Sequence, residues 1–276
     1  MNFHTALKDF LRLIQHSPAE NPLRELRLLI GHALGISYEQ LLFEPPPALN
    51  ATQVKEIEQL IQRRCQHEPL AKILGYKEFW GLRFKVTADT LDPRPDSETL
   101  IETSLRYIPK TQDSVQILDL GTGSGCLLLS LLTELPKAQG TGVDISSAAL
   151  AVARMNAAAL GMQERCQFVV ANWMEGLSQT FDLIIANPPY IDRSEVLSRQ
   201  TLYDPESALF ADEQGLVHYK TILKSAREYL RPGGVIIFEI GYAQAEAVTQ
   251  IGQDHKFNLV EKIRDFNGLD RCLVFS

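Results

Sequence analysis

The residues best suited to a catalytic role are Asn187, Pro188, Pro189 and Tyr190, which directly follow the apolar run Phe181–Ala186. Two adjacent prolines fix the backbone and remove two N–H donors, while their carbonyl groups remain free to accept hydrogen bonds. A rigid loop at the end of a buried strand can hold such an acceptor at little entropic cost. The alternative is a surface turn that Asn187 merely initiates.

This loop has the residue types needed to activate a planar amide or amine nitrogen. An amide nitrogen is a poor nucleophile, whereas a sulfonium methyl group is already strongly electrophilic, so an enzyme must mainly orient the nitrogen. The Asn187 side-chain oxygen and the Pro188 carbonyl can each accept one N–H of an NH2 group, and Tyr190 can pack on its planar face. Positioning of this kind supplies roughly 7–11 kcal/mol of a barrier. Asn187, Pro188 and Tyr190 are therefore the predicted catalytic residues.

A second group of candidates forms a glycine-rich loop made of Gly121, Thr122, Gly123, Ser124 and Gly125. It follows an apolar strand and opens a helix, which is the nucleotide-binding arrangement at the carboxyl edge of a sheet. Glycines there permit a tight turn and let a ligand lie against the backbone. The spacing is G-x-G-x-G, which differs from the G-x-G-x-x-G of dinucleotide enzymes.

Three further residues follow the next two strands. Asp144 lies about 20 positions beyond the glycine loop, where a carboxylate can accept hydrogen bonds from ribose hydroxyls; the alternative is that it caps the following helix. Asn172 and Trp173 follow the third strand, so that an indole could stack on an adenine ring and an amide could hydrogen-bond it. A tryptophan packed in the core is an equally good interpretation of Trp173.

These candidates all depend on one predicted sheet. Buried strands and helices alternate from Val115 onward, which favours an α/β fold with a doubly wound, mostly parallel sheet. The strands are expected at Val115–Leu120, Thr141–Ile145, Gln167–Val170, Phe181–Ala186 and Val235–Ile240, and the helices at Cys126–Leu135, Ala148–Leu160, His218–Leu230 and Gln244–Asp254. A final hairpin, Leu259–Arg264 with Asp270–Phe275, would make the sheet mixed.

The first part of the chain has a different pattern. Apolar residues at three- and four-residue steps predict a small helical bundle, with one helix over Pro22–Leu34 between Asn21 and Gly35 and another beginning after Asn50. The Phe79–Val86 run predicts a hairpin about a glycine, and Asp96 is a candidate cap of the next helix. The predicted organisation is a helical domain at 1–74, a β-hairpin linker at 75–94 and an α/β domain at 95–276.

Composition narrows the class of protein. The 276 residues carry a formal net charge of −7, with 45% hydrophobic and 22% charged residues. No basic run suited to phosphate contacts is present, so we expect no nucleic-acid partner. No apolar stretch approaches the ~20 residues of a bilayer span, and four scattered cysteines and six scattered histidines show no metal spacing. The beginning of the chain lacks a signal pattern, and we predict a cytoplasmic protein without a metal.

Taken together, these motifs resemble one known family. The glycine loop, Asp144 and the Asn187–Tyr190 loop are similar to class I methyltransferases that act on exocyclic or amide nitrogens. Nearly the whole chain resembles the HemK-type peptide chain release factor glutamine methyltransferases. The further matching segments are Asp92–Pro95, Asp204–Leu209, Arg231–Gly234 and Asp265–Arg271.

The resemblance implies a class I methyltransferase fold and a specific reaction. The family transfers a methyl group from S-adenosylmethionine, giving S-adenosylhomocysteine, to N5 of the glutamine in the Gly-Gly-Gln motif of class I release factors. The implied cofactor-binding residues are Gly121, Thr122, Gly123, Ser124, Gly125, Asp144, Asn172, Trp173 and Asn187. The implied substrate-binding residues are Asn187, Pro188, Pro189, Tyr190, Pro93 and Arg94.

By the same resemblance, the helical domain would help to dock the protein substrate. One residue departs from the pattern, because Asp92 stands where many family members carry isoleucine. The Asp204–Gln214 segment is either a lid or docking loop or a variable surface connection. Two alternative functions share the chemistry: glutamine methylation of a ribosomal protein, and N6-methylation of adenine in DNA.

Overall fold

A computed structural model describes residues 1–108 and 114–276 of the chain. These residues form two compact units. The first comprises Met1–Gly75 with Leu197–Tyr203, and the second comprises Tyr76–Val196 with Asp204–Ser276. Among the described residues, no helix is both long enough and apolar enough to cross a bilayer.

The first unit is helical. Its helices are α1 (Phe3–Ile14), α2 (Pro22–Leu34), α3 (Tyr38–Phe43), α4 (Ala51–Cys65) and α5 (Leu70–Leu74). The side chain of Asn21 accepts from the Arg24 amide at the start of α2, and Gly35 ends it in a left-handed conformation. Asn50 and Gln53 form a reciprocal capping box at the start of α4. The two helix predictions are therefore confirmed.

The apolar faces of these helices meet in a small core. Phe10, Ile14, Leu26 and Ile57 are almost completely buried, as expected when three- and four-residue spacing places apolar side chains on one helix face. The buried Arg64 guanidinium lies 2.6 Å from the Glu25 carboxylate, which joins α4 to α2. A buried charge needs a partner of this kind to offset its desolvation.

The second unit begins with the predicted hairpin. Strands β1 (Tyr76–Phe79) and β2 (Leu82–Lys85) pair antiparallel. The buried Asn156 side chain accepts from the Lys85 amide at 2.7 Å and donates to the carbonyls of Lys85 and Ser124. One side-chain amide therefore links the hairpin to the glycine loop.

The helix after the hairpin starts later than predicted. Pro95–Ser97 form a 3₁₀ turn, and α6 runs from Glu98 to Tyr107 with Ser97 at its N-cap position. The prediction that Asp96 caps this helix is wrong, because the turn begun by Pro95 moves the helix start by one residue. Asp96 instead lies 3.3 Å from the Arg271 guanidinium.

The remaining elements alternate as predicted. The strands are β3 (Gln116–Leu120), β4 (Gln139–Asp144), β5 (Cys166–Val170), β6 (Phe181–Ala186), β7 (Ile191–Asp192), β8 (Phe210–Ala211), β9 (Leu230–Glu239), β10 (Leu259–Arg264) and β11 (Asp270–Phe275). The helices are α7 (Cys126–Glu134), α8 (Ser147–Ala159), α9 (Asp212–Gly215, a single turn), α10 (Val217–Tyr229) and α11 (Ala245–Asp254).

A seven-stranded sheet organises the second unit. Its order is β10-β11-β9-β6-β3-β4-β5, and only the pairs made by β11 are antiparallel. The predicted doubly wound, mostly parallel sheet with a final hairpin is confirmed. Apolar clusters cover both faces: one includes α6, α7 and the hairpin, and the other includes α10 and α11. The five parallel strands direct their carboxyl ends to one edge.

Candidate active site

The candidate site lies in a cleft at this carboxyl edge. Register pairs Leu120 with Val143 and with Ala186, and pairs Ala186 with Phe238, so the loops after β3, β4, β6 and β9 are neighbours. The cleft has a volume of about 140 Å³. The residues that line it are Asp89, Thr90, Leu91, Gly121, Gly123, Val143, Asp144, Ile145, Ser146, Ala149, Ala171, Asn172, Trp173, Asn187, Pro189, Ser207, Ala208 and His218.

The glycine loop forms one wall of the cleft. The Gly121 and Thr122 amides donate to the Val143 carbonyl at 2.8 and 2.9 Å, which folds the loop across the end of β4. Gly121 has a φ of +72°, and a Cβ there would lie 3.7 Å from the Trp173 ring, inside the cleft. A side chain at this position would fill space that a ligand needs. Thr122, Ser124 and Gly125 lie behind this wall and do not line the cleft.

Asp144 faces the cleft from the end of β4. One carboxylate oxygen accepts from the Gly123 amide at 2.9 Å and the other from the Ser146 amide at 2.8 Å. The helix α8 is capped by Ser146, whose hydroxyl accepts from the Ala149 amide. The alternative role of Asp144 as a helix cap therefore does not hold. Its carboxylate instead fixes the glycine loop while remaining at the cleft surface.

An aromatic pair forms the opposite side of the cleft. The Trp173 and His218 rings lie 5.2 Å apart with an interplanar angle of 60°. Trp173 is half-buried and also packs on the apolar cluster on one face of the sheet. Its indole therefore both lines the cleft and contributes to the core. Asn172 lines the cleft and donates to the Glu175 carboxylate at 3.0 Å. Burial lowers the pKa of His218, which favours a neutral ring.

His218 was not predicted as a site residue, because a lone histidine in a helix shows no pattern. It reaches the cleft only through the packing of α10 against the sheet.

The proline loop reaches the same cleft. Asn187 and Pro189 line it, whereas Pro188 is buried and Tyr190 is largely enclosed behind it. Burial raises the pKa of the Tyr190 phenol far above its usual value, so this side chain is uncharged. The Tyr190 carbonyl accepts from the Gln244 side chain at 3.0 Å. The loop is thus held from below by a residue of the segment after β9.

Pro93 and Arg94 do not line the cleft. The Arg94 guanidinium lies 2.5 Å from the Asp204 carboxylate, and the same carboxylate accepts from the Asp92 amide at 3.2 Å. This carboxylate joins the Asp92–Arg94 segment to the segment that follows Asp204. Residues from both sides of the junction, Asp89–Leu91 and Ser207–Ala208, line the cleft.

A buried carboxyl lies directly beneath Asn187. Glu239 ends β9 with 1% of its surface exposed, and one of its oxygens has no hydrogen-bond partner. Burial raises the pKa of Glu239 to about 7, although hydrogen bonds from Ser97 and Asn187 and the charge of Arg271 oppose the rise. The Asn187 side-chain nitrogen also donates to the Ser97 hydroxyl at 3.4 Å.

Glu239, Ser97 and Arg271 were also not predicted as site residues. One signal was available for the first: a single acidic residue interrupts the otherwise apolar Val235–Ile240 run. An acidic residue is almost never fully buried unless it is paired. Ser97 and Arg271 carry no such signal.

Substitution of this carboxyl gives a stability prediction. A folded-state pKa of about 7 against an ordinary value of 4.5 means that the folded chain binds the Glu239 proton more tightly than the unfolded chain. The contribution of this group to the unfolding free energy is then fully present at low pH and is lost as the pH rises from about 4.5 to 7. Glu239→Gln removes this loss, and we expect it to increase the unfolding free energy at pH 8 by up to about 3 kcal/mol.

Urea unfolding at pH 5 and pH 8 measures this effect. The gain should appear at pH 8 and be much smaller at pH 5. Equal changes at both pH values would contradict the argument. Asp119 is a second fully buried carboxyl whose pKa burial raises to about 7, so the variant should keep part of the pH dependence.

The fold and the site together define a class I methyltransferase. A methyltransferase domain model matches residues 111–268, and a PrmC N-terminal domain model matches residues 5–75. A solved methyltransferase structure from Pyrococcus furiosus shares the fold, with a TM-score of 0.55, 18% identity and coverage of 72% of this chain and 90% of that one.

The relatives give the family. The release factor glutamine methyltransferase of Agrobacterium fabrum is 37% identical over 271 residues, covering 95% of this chain and 93% of that protein. The bifunctional methyltransferase of Rickettsia bellii is 39% identical over 292 residues, covering 95% of this chain and 52% of that protein. The chain belongs to the release factor glutamine methyltransferase family, and it spans about half the length of the bifunctional relatives.

Proposed function

We propose that this protein transfers a methyl group from S-adenosylmethionine to the N5 side-chain nitrogen of the glutamine in the Gly-Gly-Gln motif of class I peptide chain release factors. The observation that carries the proposal is that Asn187 and Pro189 line the same cleft as Gly121, Gly123 and Asp144. A site for an NH2-bearing group and a site for a nucleoside therefore adjoin. The family relatives named for this activity support the choice of substrate.

The cleft has the donor and acceptor set that the cofactor requires. Gly121 leaves open the space that a Cβ would fill, Asp144 presents a carboxylate for ribose hydroxyls, and Trp173 and Asn172 offer a ring face and an amide for the adenine. When bound, S-adenosylmethionine supplies an electrophilic methyl group. We assign these residues, with Gly123 and Asn187, to its binding; Thr122, Ser124 and Gly125 shape the loop behind them.

The proline loop orients the substrate nitrogen. The Asn187 side-chain oxygen and the Pro188 carbonyl each accept one N–H of the glutamine NH2 group, so that the nitrogen lone pair points into the cleft. Tyr190 and Pro189 flank the planar amide. The nitrogen loses one proton after it gains the methyl group, so no strong base is needed before attack. The work of the loop is positioning, which accounts for its rigidity.

Two more assignments belong to this proposal. Arg94 and Pro93 act at the substrate side through their junction with Asp204, and not as part of the cleft wall. The helical unit matched by the PrmC N-terminal domain model docks the protein substrate. Release factors work in translation termination, which places the reaction in the cytoplasm.

A parallel labelling assay tests the proposed substrate. The chain is incubated with radiolabelled S-adenosylmethionine and, separately, with a class I release factor, ribosomal proteins and adenine-containing duplex DNA. We expect label on the release factor, and loss of that label when its Gly-Gly-Gln glutamine is replaced by alanine. Label confined to ribosomal protein or to DNA would replace the proposal with one of the two alternatives. The net charge of −7 argues against DNA.

A further inference from the structure

The orientation of the Asn187 amide decides what the proline loop can bind. A side-chain amide presents an acceptor on one side and a donor on the other, and its partners determine which side faces outward. If the nitrogen faced the cleft, it would repel the NH2 group of a substrate. The loop can therefore bind an NH2 group only if something holds the Asn187 nitrogen on the other side.

The groups beneath Asn187 are acceptors. Its nitrogen donates to the Ser97 hydroxyl at 3.4 Å, and the buried Glu239 carboxyl ends the adjacent strand, where Ser97 and Asn187 both oppose the rise of its pKa. The Ser97 hydroxyl has a single proton, and a hydroxyl that directs this proton to the neighbouring carboxyl can only accept from Asn187. A charged carboxylate has no proton to give at all. Both contacts therefore select the nitrogen of Asn187 and turn its oxygen toward the cleft.

We infer that Glu239 is a positioning residue, which, through its carboxylate and Ser97, fixes the donor side of the Asn187 amide inward and thereby makes the proline loop an acceptor for an NH2 group. This inference rests on the proposed transfer to an amide nitrogen. It also explains why the chain keeps a buried carboxyl with an unpartnered oxygen, although burying such a group without full hydrogen bonding costs stability.

The position of Glu239 in the sheet makes this contact possible. Ala186 and Phe238 are register partners on the parallel strands β6 and β9, so Asn187 and Glu239 leave adjacent strand ends side by side. Ser97 reaches the same point from the start of α6. The charged or titratable groups that act on Glu239 are Arg271, Asp96, Tyr190, Tyr219, Cys126 and Cys272.

An exchange of the two side chains tests the inference. At pH 9, well above the Glu239 pKa of about 7, Asn187→Asp alone places two carboxylates against each other, and we expect kcat to fall more than 100-fold relative to the wild type at the same pH. In the double variant Asn187→Asp/Glu239→Gln, the new glutamine amide donates to the introduced aspartate in place of the lost contact. The second oxygen of that aspartate then faces the substrate again. We expect the double variant to recover at least tenfold relative to Asn187→Asp.

The single variant Glu239→Gln completes the double-mutant cycle. A glutamine at 239 can either accept from Asn187 or donate to it, so the amide loses its preferred orientation. We expect Glu239→Gln to lower kcat about tenfold, with the KM for S-adenosylmethionine within twofold and with no loss of stability. Glu261→Gln, which changes a carboxylate on the edge strand β10, should match the wild type. Additive losses in the double variant, or wild-type kcat in Glu239→Gln, would overturn the inference.

A second measurement needs no methyl acceptor. The side-chain NH2 resonances of Asn187 can be identified by NMR through their loss in Asn187→Asp. We expect them to shift between pH 8 and pH 6 with a midpoint near 7, where Glu239 gains its proton, and to lose this titration in Glu239→Gln. Resonances that do not respond to either change would refute the contact. If the wild type labels another acceptor, the proposed function fails while these shifts and the kcat ratios on that acceptor still decide the inference.

Discussion

Replacing Asn187 by alanine is expected to reduce methyl transfer by about 10³-fold while S-adenosylmethionine affinity stays within about threefold. The variant removes the side-chain oxygen that we propose accepts one N–H of the substrate, and loss of one such preorganised polar contact costs roughly 10²–10³-fold in rate. It also leaves the Pro188 carbonyl as the sole acceptor of the loop. The proposed cofactor site loses the Asn187 contact but keeps the glycine loop, Asp144 and Trp173, which line the same cleft.

Single-turnover methylation and a cofactor titration measure these two quantities separately. Asn258→Ala is the matched control, because it makes the same chemical change at an exposed position outside the cleft lining. The control should retain wild-type rate and affinity. Near-normal transfer by Asn187→Ala would remove this residue from the mechanism. A parallel loss of cofactor affinity would instead make it a cofactor ligand first.

Local signals predicted the helices of the first unit well. The second helix was predicted from a capping asparagine and a terminal glycine, both of which act within one turn. The short helix α3 was missed even though Ser37 and Gln40 form a capping box like that of Asn50 and Gln53 at the start of α4. Its six residues are too few to show an apolar period. A capping box that is not followed by a periodic apolar pattern was not sufficient to predict a helix.

The error at Asp96 has a similar origin. Asp, Ser and Thr are all good caps, and the sequence offers Asp96 and Ser97 in succession. Only the 3₁₀ turn set by Pro95 decides between them. Ser97 is then free to use its hydroxyl elsewhere, since it makes no side-chain cap. The residue that the sequence analysis passed over is the one that contacts Asn187.

Some residues of the candidate site could be predicted from local sequence motifs, and others could not. Residues placed by a motif, such as Gly121, Asp144 and Asn187, lie along the cleft because each lies at the carboxyl end of a parallel strand. Glu239 and Arg271 belong to the site only because strands distant in sequence become neighbours in the sheet, and His218 belongs to it only because α10 packs against that sheet. Spacing along the chain does not reveal that order. The sequence signal for Glu239 was an acidic residue within an apolar strand. Its role could be inferred only once the structure placed it beside Asn187.

The strongest test of loop rigidity is Gly215→Ala. Gly215 has a φ of +82°, and a Cβ there would lie 2.0 Å from the Tyr190 carbonyl oxygen and 2.5 Å from the Gln244 side-chain nitrogen. Because the first of these atoms is backbone, the overlap can be relieved only by moving the Asp212–Gly215 turn or the proline loop. Overpacking of this kind costs roughly 1–3 kcal/mol, in addition to about 1–2 kcal/mol for the left-handed backbone.

The consequence for catalysis follows from the position of Tyr190, three residues after Asn187. A displacement of about 1 Å in a positioning loop can cost on the order of 10²-fold in rate, so we expect Gly215→Ala to lose about 100-fold in transfer while cofactor affinity is largely kept. Unfolding in urea and single-turnover rates measure the two effects.

Gly161→Ala separates the effect of the steric overlap at Gly215 from the cost of placing alanine in a left-handed backbone conformation. Gly161 has a φ of +69° and no atom within 4 Å of its would-be Cβ, so this variant carries the left-handed penalty alone. It should lose about 1–2 kcal/mol of stability and retain its transfer rate. If Gly215→Ala matched Gly161→Ala in both measurements, the proline loop could not owe its position to the turn beneath it. A selective rate loss at Gly215 would instead show that the loop must be held in place to work.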